Sequence, residues 1–326
     1  MNKYLLFRTD RIGDFLLSAI LIKSIKRNDK YSHITLIASK KNYKYICTLK
    51  FIDKVILYPD NFFKRIFFFI KIFRSNFKLK IALDGKKRSI YGCLLGRSNY
   101  KFLLTTKKFY KKIFRFFFTK VIYKDDFSSK ILEIKFILNE IGYDLKLIDY
   151  NIFVNEKNFP VQKNQSGTIM LHFDEKWIFN DYIKKYTNIE PTYDQFYKFI
   201  CEMTERTDND LHITTGFIDN IILKKLRLIM NFNEKFYWKD YKSHKIYLHY
   251  NSSFLDLKKI IYNSSKIICC HGAPTHVAAA MDKEIIDIYD ENEELFYQKW
   301  NSHFRKYNFL YRTNFKDLSK KILNLL

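Results

Sequence analysis

Two glycine-containing segments near opposite ends of the chain carry side chains that can move a proton or hold a phosphate. The first segment, RTDRIGDFLLS, lies between two apolar runs. Gly13 allows a tight turn and a close approach of a ligand to the backbone. Asp14 follows it, and a carboxylate here can remove a proton from an attacking hydroxyl, an effect worth about 10²–10⁴ in rate. Arg11 is a candidate to hold an acceptor phosphate or to keep Asp14 ionised.

The alternative for Asp14 is a structural role. Aspartate is favoured at the N-cap of a helix, where it contributes about 1 kcal/mol, and the following run FLLSAILI predicts a buried helix. A cap would engage the carboxylate with its own helix, whereas a general base must face the crevice in which the substrate binds. The contacts of this side chain therefore decide between the two interpretations.

The second segment, CCHGAPTHVAAA, has the same layout of strand, small-residue turn and helix. Gly272 and Ala273 keep the turn free of bulk, and Pro274 suits the first helical turn, where its missing N–H costs nothing. The free N–H groups of that helix, together with Thr275, predict a seat for a diphosphate. His276 is a candidate to donate a hydrogen bond to a phosphate oxygen, and a histidine that only packs is the alternative.

Short β-type runs alternate with helix-type runs through both halves of the chain. In the first half we predict the strands Tyr4–Arg8, His33–Ala38, Val55–Tyr58, Lys80–Asp84 and Lys101–Thr105, and the helices Phe15–Lys26, Asn42–Leu49, Phe62–Arg74 and Ser128–Ile141. In the second half we predict the strands Thr168–Phe173, Leu211–Thr215, Lys245–His249, Lys266–Cys270 and Glu284–Tyr289, and the helices Tyr193–Arg206, Asn220–Met230, Leu255–Asn263, Thr275–Ala280 and Asn314–Leu326. This alternation is typical of parallel sheets covered by helices on both faces.

The polar segment Asn155–Gly167, which contains Pro160, is the predicted linker between the halves. The predicted fold class is therefore α/β, with two Rossmann-like, doubly wound parallel-sheet domains that face a central cleft at the carboxyl ends of their strands. We predict domains at residues 1–160 and 161–313. The terminal helix at 314–326 is expected to pack back on the first domain.

The charge of the chain is strongly positive, with 58 Lys and Arg residues against 34 Asp and Glu residues and a formal net charge of +24. Such a balance attracts polyanions, namely nucleic acid, anionic lipid or phosphorylated glycan. The alternative is compositional, because the abundance of Lys, Ile, Asn, Phe and Tyr is expected of an AT-rich genome. A nucleic-acid-binding protein ranks last among the function classes, since the sequence has no recognisable reading motif.

Several features of the sequence indicate the compartment. Five cysteines without CxxC spacing indicate a reducing environment and no zinc site. The amino-terminal residues MNKYLLF predict a first strand and not a signal peptide, because charges precede any long apolar run. The sequence contains no window of about 18 uncharged apolar residues, so it predicts no membrane span. We therefore expect a cytoplasmic protein.

Two stretches, NFFKRIFFFIKIFRSNFKLK and TTKKFYKKIFRFFFTKVIYK, mix Phe and Ile with Lys and Arg at helix-compatible spacing. They predict a helical surface that lies on an anionic inner leaflet or holds a phosphorylated, lipid-linked acceptor. The alternative, which we favour for the first stretch, is a core helix whose basic side chains reach out to water.

The segment Arg11-Ile12-Gly13-Asp14 and the late run HGAPTHVAA resemble, in this order and with this α/β plan between them, the heptosyltransferase family, which is glycosyltransferase family 9. Members carry R-x-G-D after the first strand and D-S-G-x-x-H-x-x-A-A late in the chain. The resemblance implies a bacterial enzyme with a GT-B fold and inverting sugar transfer from a nucleotide-diphosphate donor, ADP-heptose in the best-known members. It implies no metal and no cofactor besides the donor, a lipopolysaccharide core or related surface glycan as acceptor, and work at the cytosolic face of the inner membrane.

The resemblance also implies roles for individual residues. Asp14 becomes the base, and the donor diphosphate lies on the turn from Gly272 to His276. Lys176, in LHFDEKW, matches a family lysine that offsets charge on the leaving diphosphate; an ordinary surface lysine is the alternative. The remaining implied residues are Thr215, Gly216, Asp219, His271, Ala273 and Thr275 for the donor, with Asp219 at a ribose hydroxyl, and Arg11 and Gly13 for the acceptor.

Two positions depart from the family pattern, because His271 stands where Asp is usual and Ala273 where Gly is usual. A histidine beside a diphosphate is electrostatically tolerable. A non-catalytic glycan- or nucleotide-binding protein of the same fold is therefore the alternative function.

Overall fold

A computed structural model describes residues 1–153, 167–178, 185–207, 209–216, 221–229 and 238–326. The chain divides into two compact units, Met1–Ile152 and Phe153–Leu326. The predicted boundary at residue 160 and most of the predicted linker Asn155–Gly167 lie outside the described residues, so both stay predictions.

The first unit is a six-stranded parallel sheet with helices between its strands. The strands are β1 (Lys3–Phe7), β2 (His33–Ala38), β3 (Lys54–Leu57), β4 (Phe77–Ala82), β5 (Ser98–Thr105) and β6 (Lys120–Tyr123). The helices are α1 (Ile12–Asn28), α2 (Tyr43–Ile46), α3 (Phe62–Phe73), α4 (Lys87–Leu94), α5 (Lys108–Phe114) and α6 (Lys130–Asn139). The strand order is β3-β2-β1-β4-β5-β6. This order reverses between β1 and β4, and such a reversal is where doubly wound sheets bind ligands.

The second unit repeats this plan with one added strand. Its strands are β7 (Ile169–Phe173), β8 (Leu211–Thr215), β9 (Trp238–Tyr241), β10 (His244–His249), β11 (Lys266–Cys270), β12 (Glu284–Tyr289) and β13 (Tyr307–Tyr311). Its helices are α7 (Tyr193–Thr207), α8 (Ile221–Ile229), α9 (Phe254–Asn263), α10 (Ala273–Ala280), α11 (Glu294–Asn301) and α12 (Phe315–Asn324). The order is β13-β12-β11-β7-β8-β10-β9. Of the strand pairs that the structure describes in this unit, β9–β10 alone is antiparallel. The reversal here lies between β7 and β11.

The central strands are apolar because helices cover both faces of each sheet. Leu5 of β1 pairs in parallel with Thr35 of β2 on one side and with Lys80 of β4 on the other. In the second unit, Ile169 of β7 pairs with Leu211 of β8 and with Lys266 of β11. The carboxyl ends of the parallel strands therefore lie at one edge of each sheet, which brings the loops after those strands together.

The terminal helix α12 packs within the second unit. Its buried residues Phe315, Leu318 and Ile322 belong to one hydrophobic cluster with Trp177 and Phe199. The Phe315 ring lies 5.6 Å from the Phe199 ring, edge to face. The prediction that this helix packs back on the first domain is therefore wrong, because α12 completes the core of the second unit.

The two basic aromatic stretches differ from their predicted forms. The first contains α3, in which only Phe68 and Ile72 are buried, while Phe63 and Phe67 are about 70% exposed. The favoured core-helix interpretation is therefore wrong, since one narrow side of α3 covers the sheet. The second stretch contains the short helix α5 and then the strand β6. The helix-compatible spacing of its residues did not predict this strand. Within the described ranges, no helix combines the length and apolar character that a membrane span needs.

We predict that Gly92→Ala destabilises the protein. Gly92 lies in α4, and a Cβ there would stand 2.2 Å from Cζ of the fully buried Phe7 ring. Overpacking of this kind costs about 1–3 kcal/mol. Chemical denaturation followed by circular dichroism should show the loss, whereas Tyr91→Ala, on the exposed side of the same helix, should change stability by less than about 0.5 kcal/mol. Equal stability of Gly92→Ala and wild type would contradict this packing.

Candidate functional site

In the second unit, Lys176 lies over the glycine turn that begins α10. A Cβ on Gly272 would stand 2.5 Å from the Lys176 Nζ. The φ of Gly272 is 173°, an extended conformation that any residue adopts. Gly272 is therefore required for steric reasons, because the Lys176 ammonium group occupies the space that a side chain would take. The loops after β7 and β11, which flank the reversal of strand order, meet at this point.

The Lys176 side chain is held by its neighbours. Its Nζ lies 3.2 Å from Oδ2 of Asp174, and both side chains are largely buried. Asp174 also accepts a hydrogen bond from the Lys176 backbone N–H at 3.2 Å. Arg312 donates to the Lys176 carbonyl at 2.9 Å, and the Trp177 indole donates to the His172 carbonyl at 2.9 Å. This ammonium is therefore a fixed charge beside a helix N-terminus, the kind of place that binds anions.

Thr275 builds the turn. Its hydroxyl donates to the Gly272 carbonyl at 2.6 Å and accepts from the Gly272 N–H at 3.2 Å. The side chain is fully buried. Ala273 is the first residue of α10, and Pro274 follows it without an N–H to satisfy. The N–H groups at the start of α10 have no intrahelical acceptor by geometry, so they are available to a ligand.

His271 is paired with a buried carboxylate that the sequence analysis does not single out. Its Nδ1 donates to Oδ2 of Asp287 at 2.6 Å. Tyr307 donates to the same oxygen at 3.0 Å, and Asn301 donates to the Tyr307 hydroxyl at 2.6 Å. Asp287 is fully buried on β12, within the apolar run EIIDIY. A carboxylate inside the buried run IIDIY of this strand is the sequence signal that could have identified it.

His276 is packed among rings. Its ring centroid lies 5.4 Å from that of Phe304, 5.3 Å from that of His271 and 6.3 Å from that of Trp300. Burial, with the neighbouring His271 and His303, lowers the pKa of His276 well below its ordinary value. The imidazole is therefore neutral at physiological pH. His276 packs against the surrounding rings. The hydrogen bond from His276 to a phosphate oxygen stays a prediction.

The loop after β8 adjoins the same place. A Cβ on Gly216 would stand 1.9 Å from Oε2 of Glu175 and 3.0 Å from Cβ of Asp174. Thr215 accepts a hydrogen bond from the Asn251 N–H at 3.0 Å. The structure thus brings Thr215 and Gly216 beside the Lys176 loop, while Asp219 lies outside the described residues.

In the first unit, Asp14 lies in the first turn of α1 and does not cap it. The N-cap is Arg11, which makes no side-chain cap. Among the described residues, none donates a hydrogen bond to the Asp14 carboxylate, which is partly exposed. Arg8 donates from Nε to the Asp14 carbonyl at 3.1 Å. The capping alternative is therefore not supported, although a negative charge here suits the helix dipole. Gly13, predicted in a preceding turn, lies inside this helix.

A charged network spans the reversal between β1 and β4. Asp84 accepts from the Thr9 N–H at 3.2 Å and from its hydroxyl at 2.5 Å. Arg88 donates to the Thr9 hydroxyl, and Asp10 pairs with Lys86. Sequence pattern does not reveal these residues, because the residues that contact each other lie about 75 positions apart in the chain. Over the ranges that the structure covers, no group of three or more His, Cys, Asp or Glu residues is arranged to hold a metal ion.

Comparison with solved structures shows the fold. The heptosyltransferase WaaC of E. coli with ADP matches at a TM-score of 0.70 and 10% identity, over 99% of this chain and 100% of its own. A family 9 glycosyl transferase of Veillonella parvula matches at 0.64 and 14%, over 99% and 91%. The UDP-GlcNAc 2-epimerase of Methanocaldococcus jannaschii matches at 0.50 and 9%, over 100% and 92%. No protein-family model and no curated protein sequence matches the chain.

These likenesses confirm two predictions. The chain has two parallel-sheet α/β domains of the GT-B class, and its resemblance to the heptosyltransferases extends over nearly its whole length as a likeness of fold. The chemical roles of the predicted residues stay predictions.

We predict that the second unit loses stability as the pH falls from about 6.5 toward 4. Burial lowers the pKa of four of its histidines to between about 3 and about 4, namely His172, His212, His249 and His303. The unfolded chain, with histidine pKa values near 6.5, then binds more protons than the native state, so each histidine lowers the free energy of unfolding by about 1.4 kcal/mol per pH unit.

Urea denaturation at pH 7, 6 and 5, followed by tryptophan fluorescence, checks this prediction, because all three tryptophans lie in the second unit. His303→Phe should remove about one proton from the slope of stability against pH. His33→Phe, in the first unit, should leave that slope unchanged. A stability that does not depend on pH over this range would contradict burial of these histidines in the neutral form.

Proposed function

We propose that the protein is a glycosyltransferase that moves a sugar, heptose or a related one, from a nucleotide-diphosphate donor to a lipopolysaccharide core or other surface-glycan acceptor. The observation that carries the proposal is the position of the Lys176 ammonium over the Gly272 turn, at the reversal of strand order. A fixed cation at a helix N-terminus suits a diphosphate. The likeness of fold to WaaC, which was solved with ADP, supports the same donor class.

In the proposed reaction the acceptor hydroxyl attacks the anomeric carbon from the face opposite the leaving group, which inverts its configuration. The new carbon–oxygen bond forms as the bond to the diphosphate oxygen breaks. The hydroxyl proton passes to the Asp14 carboxylate. The partly exposed position of this carboxylate and its lack of a described hydrogen-bond donor support the role.

The departing nucleoside diphosphate carries away the electron pair of the broken bond. Lys176 and the first N–H groups of α10 would stabilise the added negative charge, which is the role that a metal ion plays in other sites. Asp174 positions this lysine. We accordingly propose a metal-independent reaction that EDTA leaves unchanged.

Donor binding is tested first, by thermal shift with ADP-, UDP- and GDP-sugars. A donor at 100 times its dissociation constant adds about 2.7 kcal/mol of stability. We expect one nucleotide class to raise the melting temperature, and Lys176→Ala to weaken the shift less than it weakens turnover. Lys198→Ala, 78% exposed on α7, is the charge-matched control. No shift with any of the three classes would overturn the donor proposal, and binding without turnover would favour a non-catalytic binding protein.

We predict that Asp14→Asn lowers the rate of sugar transfer by at least about a hundredfold, because the amide cannot accept the hydroxyl proton. Donor binding and the melting temperature should stay near wild type, since the carboxylate makes no structural hydrogen bond with the described residues. Asp194→Asn, which replaces an exposed carboxylate in the first turn of α7, is the matched control. Unchanged turnover of Asp14→Asn would remove the base assignment.

We further propose that α3 and α5 hold the enzyme at an anionic membrane surface. Both helices pack on one hydrophobic cluster, through Phe68 of α3 and Phe114 of α5. Their outer sides present exposed rings, Phe62, Phe63, Phe67, Phe73 and Phe109. Exposed cations lie beside the rings, namely Lys64, Lys71, Arg74, Lys108, Lys111, Lys112 and Arg115. Rings that enter the headgroup region and cations that meet lipid phosphates together fit an anionic bilayer.

Vesicle co-sedimentation tests this surface. We predict binding to phosphatidylglycerol vesicles that weakens with salt, and little binding to phosphatidylcholine vesicles. Replacing Phe63 and Phe67 by Ser should weaken binding by about tenfold or more, because each buried ring contributes about 1.5–3 kcal/mol. Tyr31→Ser, on an exposed turn of the same unit, is the control. Equal binding of the double variant and wild type would contradict the proposal.

A further inference from the structure

A cavity of about 310 Å³ lies in the first unit at the carboxyl ends of β4, β5 and β6. Four of its lining residues are lysines: Lys86, Lys87, Lys107 and Lys124. We call this cavity the lysine pocket. Its position beside the reversal between β1 and β4 is where a doubly wound sheet offers its loops to a ligand.

The positive charge of the lysine pocket is not neutralised by the protein. Lys86 pairs with Asp10. Asp84, the acidic residue in the lining, is engaged by the Thr9 N–H and hydroxyl and by the Lys86 N–H. Among the described residues, no carboxylate lies within ion-pair distance of the other three lysines. Such a concave cluster of cations attracts an anion.

Lys124 is the most confined of these lysines. Its Nζ donates to the Leu83 carbonyl at 3.1 Å. Burial, with the nearby charge of Arg8, lowers the pKa of Lys124 to about 8. A bound anion would relieve this strain between like charges, because an opposite charge within reach favours the protonated amine.

The lysine pocket is connected to Asp14 through one guanidinium group. Arg8 donates from Nη1 to the Leu83 carbonyl at 3.0 Å, the oxygen that Lys124 also contacts. The same guanidinium donates from Nε to the Asp14 carbonyl at 3.1 Å. A group bound in the lysine pocket is therefore fixed relative to the backbone of Asp14, because Arg8 connects the two.

Gly85 shapes the pocket wall. Its φ is +62°, and a Cβ there would stand 2.6 Å from the Leu104 carbonyl oxygen. Glycine therefore lets the loop after β4 fold closely against β5. The N–H and side-chain donors of this loop stay close to Thr105 and Lys107 on the other wall.

We propose that the lysine pocket binds a phosphoryl group carried by the acceptor, and that this contact sets the acceptor hydroxyl in place for Asp14. The acceptor part rests on the proposed function, whereas binding of a phosphoryl group does not. Lysine ammonium groups and a threonine hydroxyl are the donors that a phosphate dianion needs. Inorganic phosphate has the same chemistry, so the experiment must separate the two sources.

The test is amine acetylation of the whole chain at pH 8, read residue by residue by mass spectrometry. The probes are glucose 6-phosphate, inorganic phosphate, and sodium chloride at matched ionic strength. A probe at ten times its dissociation constant should slow acetylation of Lys107 and Lys124 by about tenfold. Lys30, on the exposed turn before β2, should react at the same rate with every probe.

Protection by glucose 6-phosphate at lower concentration than by inorganic phosphate supports the acceptor proposal, and protection by inorganic phosphate alone overturns its acceptor part. No protection by either phosphate, or equal protection by sodium chloride, overturns the site. Lys124→Met, and independently the exposed Lys107→Ala, should weaken protection of the remaining pocket lysines. Protection of Lys176 by the donor nucleotide is read in the same spectra, so failure of the proposed function is seen separately.

Discussion

The reversal of strand order in each sheet is the constraint on which both candidate sites of this protein depend. A reversal leaves two adjacent strands whose following loops diverge to opposite faces, and the gap between them must be filled by side chains or by a ligand. In the first unit Thr9 and Asp84 bridge that gap. In the second unit Lys176 reaches across it to the space above Gly272. The gap is thus filled in the first unit by a hydrogen bond between a hydroxyl and a carboxylate, and in the second unit by the ammonium group of Lys176.

The site in the second unit depends on charges that are fixed before any ligand arrives. Lys176 is held against Asp174, and its backbone carbonyl is held by Arg312. His271 is oriented by the buried Asp287, which leaves the opposite ring nitrogen for other partners. A preorganised arrangement costs little reorganisation when charge develops in a reaction, which is why fixed groups of this kind are effective. At the position where the family pattern has Asp, this chain has His271, which is hydrogen-bonded to the buried carboxylate of Asp287.

The sequence predicts those features that depend on local pattern. Alternating apolar runs locate His33–Ala38 and Leu211–Thr215 without error. The family resemblance singles out Lys176 and the Gly272 turn, and the structure brings these two together. Local pattern fails where the deciding contact is distant. Lys120–Tyr123 reads as the end of a basic helix and becomes β6 because β5 offers it a pairing edge. Asp287 is noticeable in the sequence as a carboxylate in an apolar strand, but no spacing rule connects it with its partners His271 and Tyr307. The outer rings of α3 stay exposed because that helix covers a sheet with only one narrow side.

Compositional bias is one explanation for the excess of basic residues. The positions of these residues in the structure indicate that bias alone does not explain it. Many cations of the first unit are matched by carboxylates, as Lys26 is by Asp53 and Arg27 by Asp149. Those pairs lie on or beside α1 and the loops that it packs against. At the carboxyl ends of β5 and β6 and on the outer side of α3 and α5, Lys111 pairs with Asp126, but most of the cations have no carboxylate within ion-pair distance among the described residues. These cations stand beside a cavity or exposed rings. Mutational bias adds lysines wherever they are tolerated, but it does not select positions where partners are missing. Like charges held close together repel, and a bound anion would relieve that repulsion, which is the physical basis of the anion binding proposed at these two surfaces.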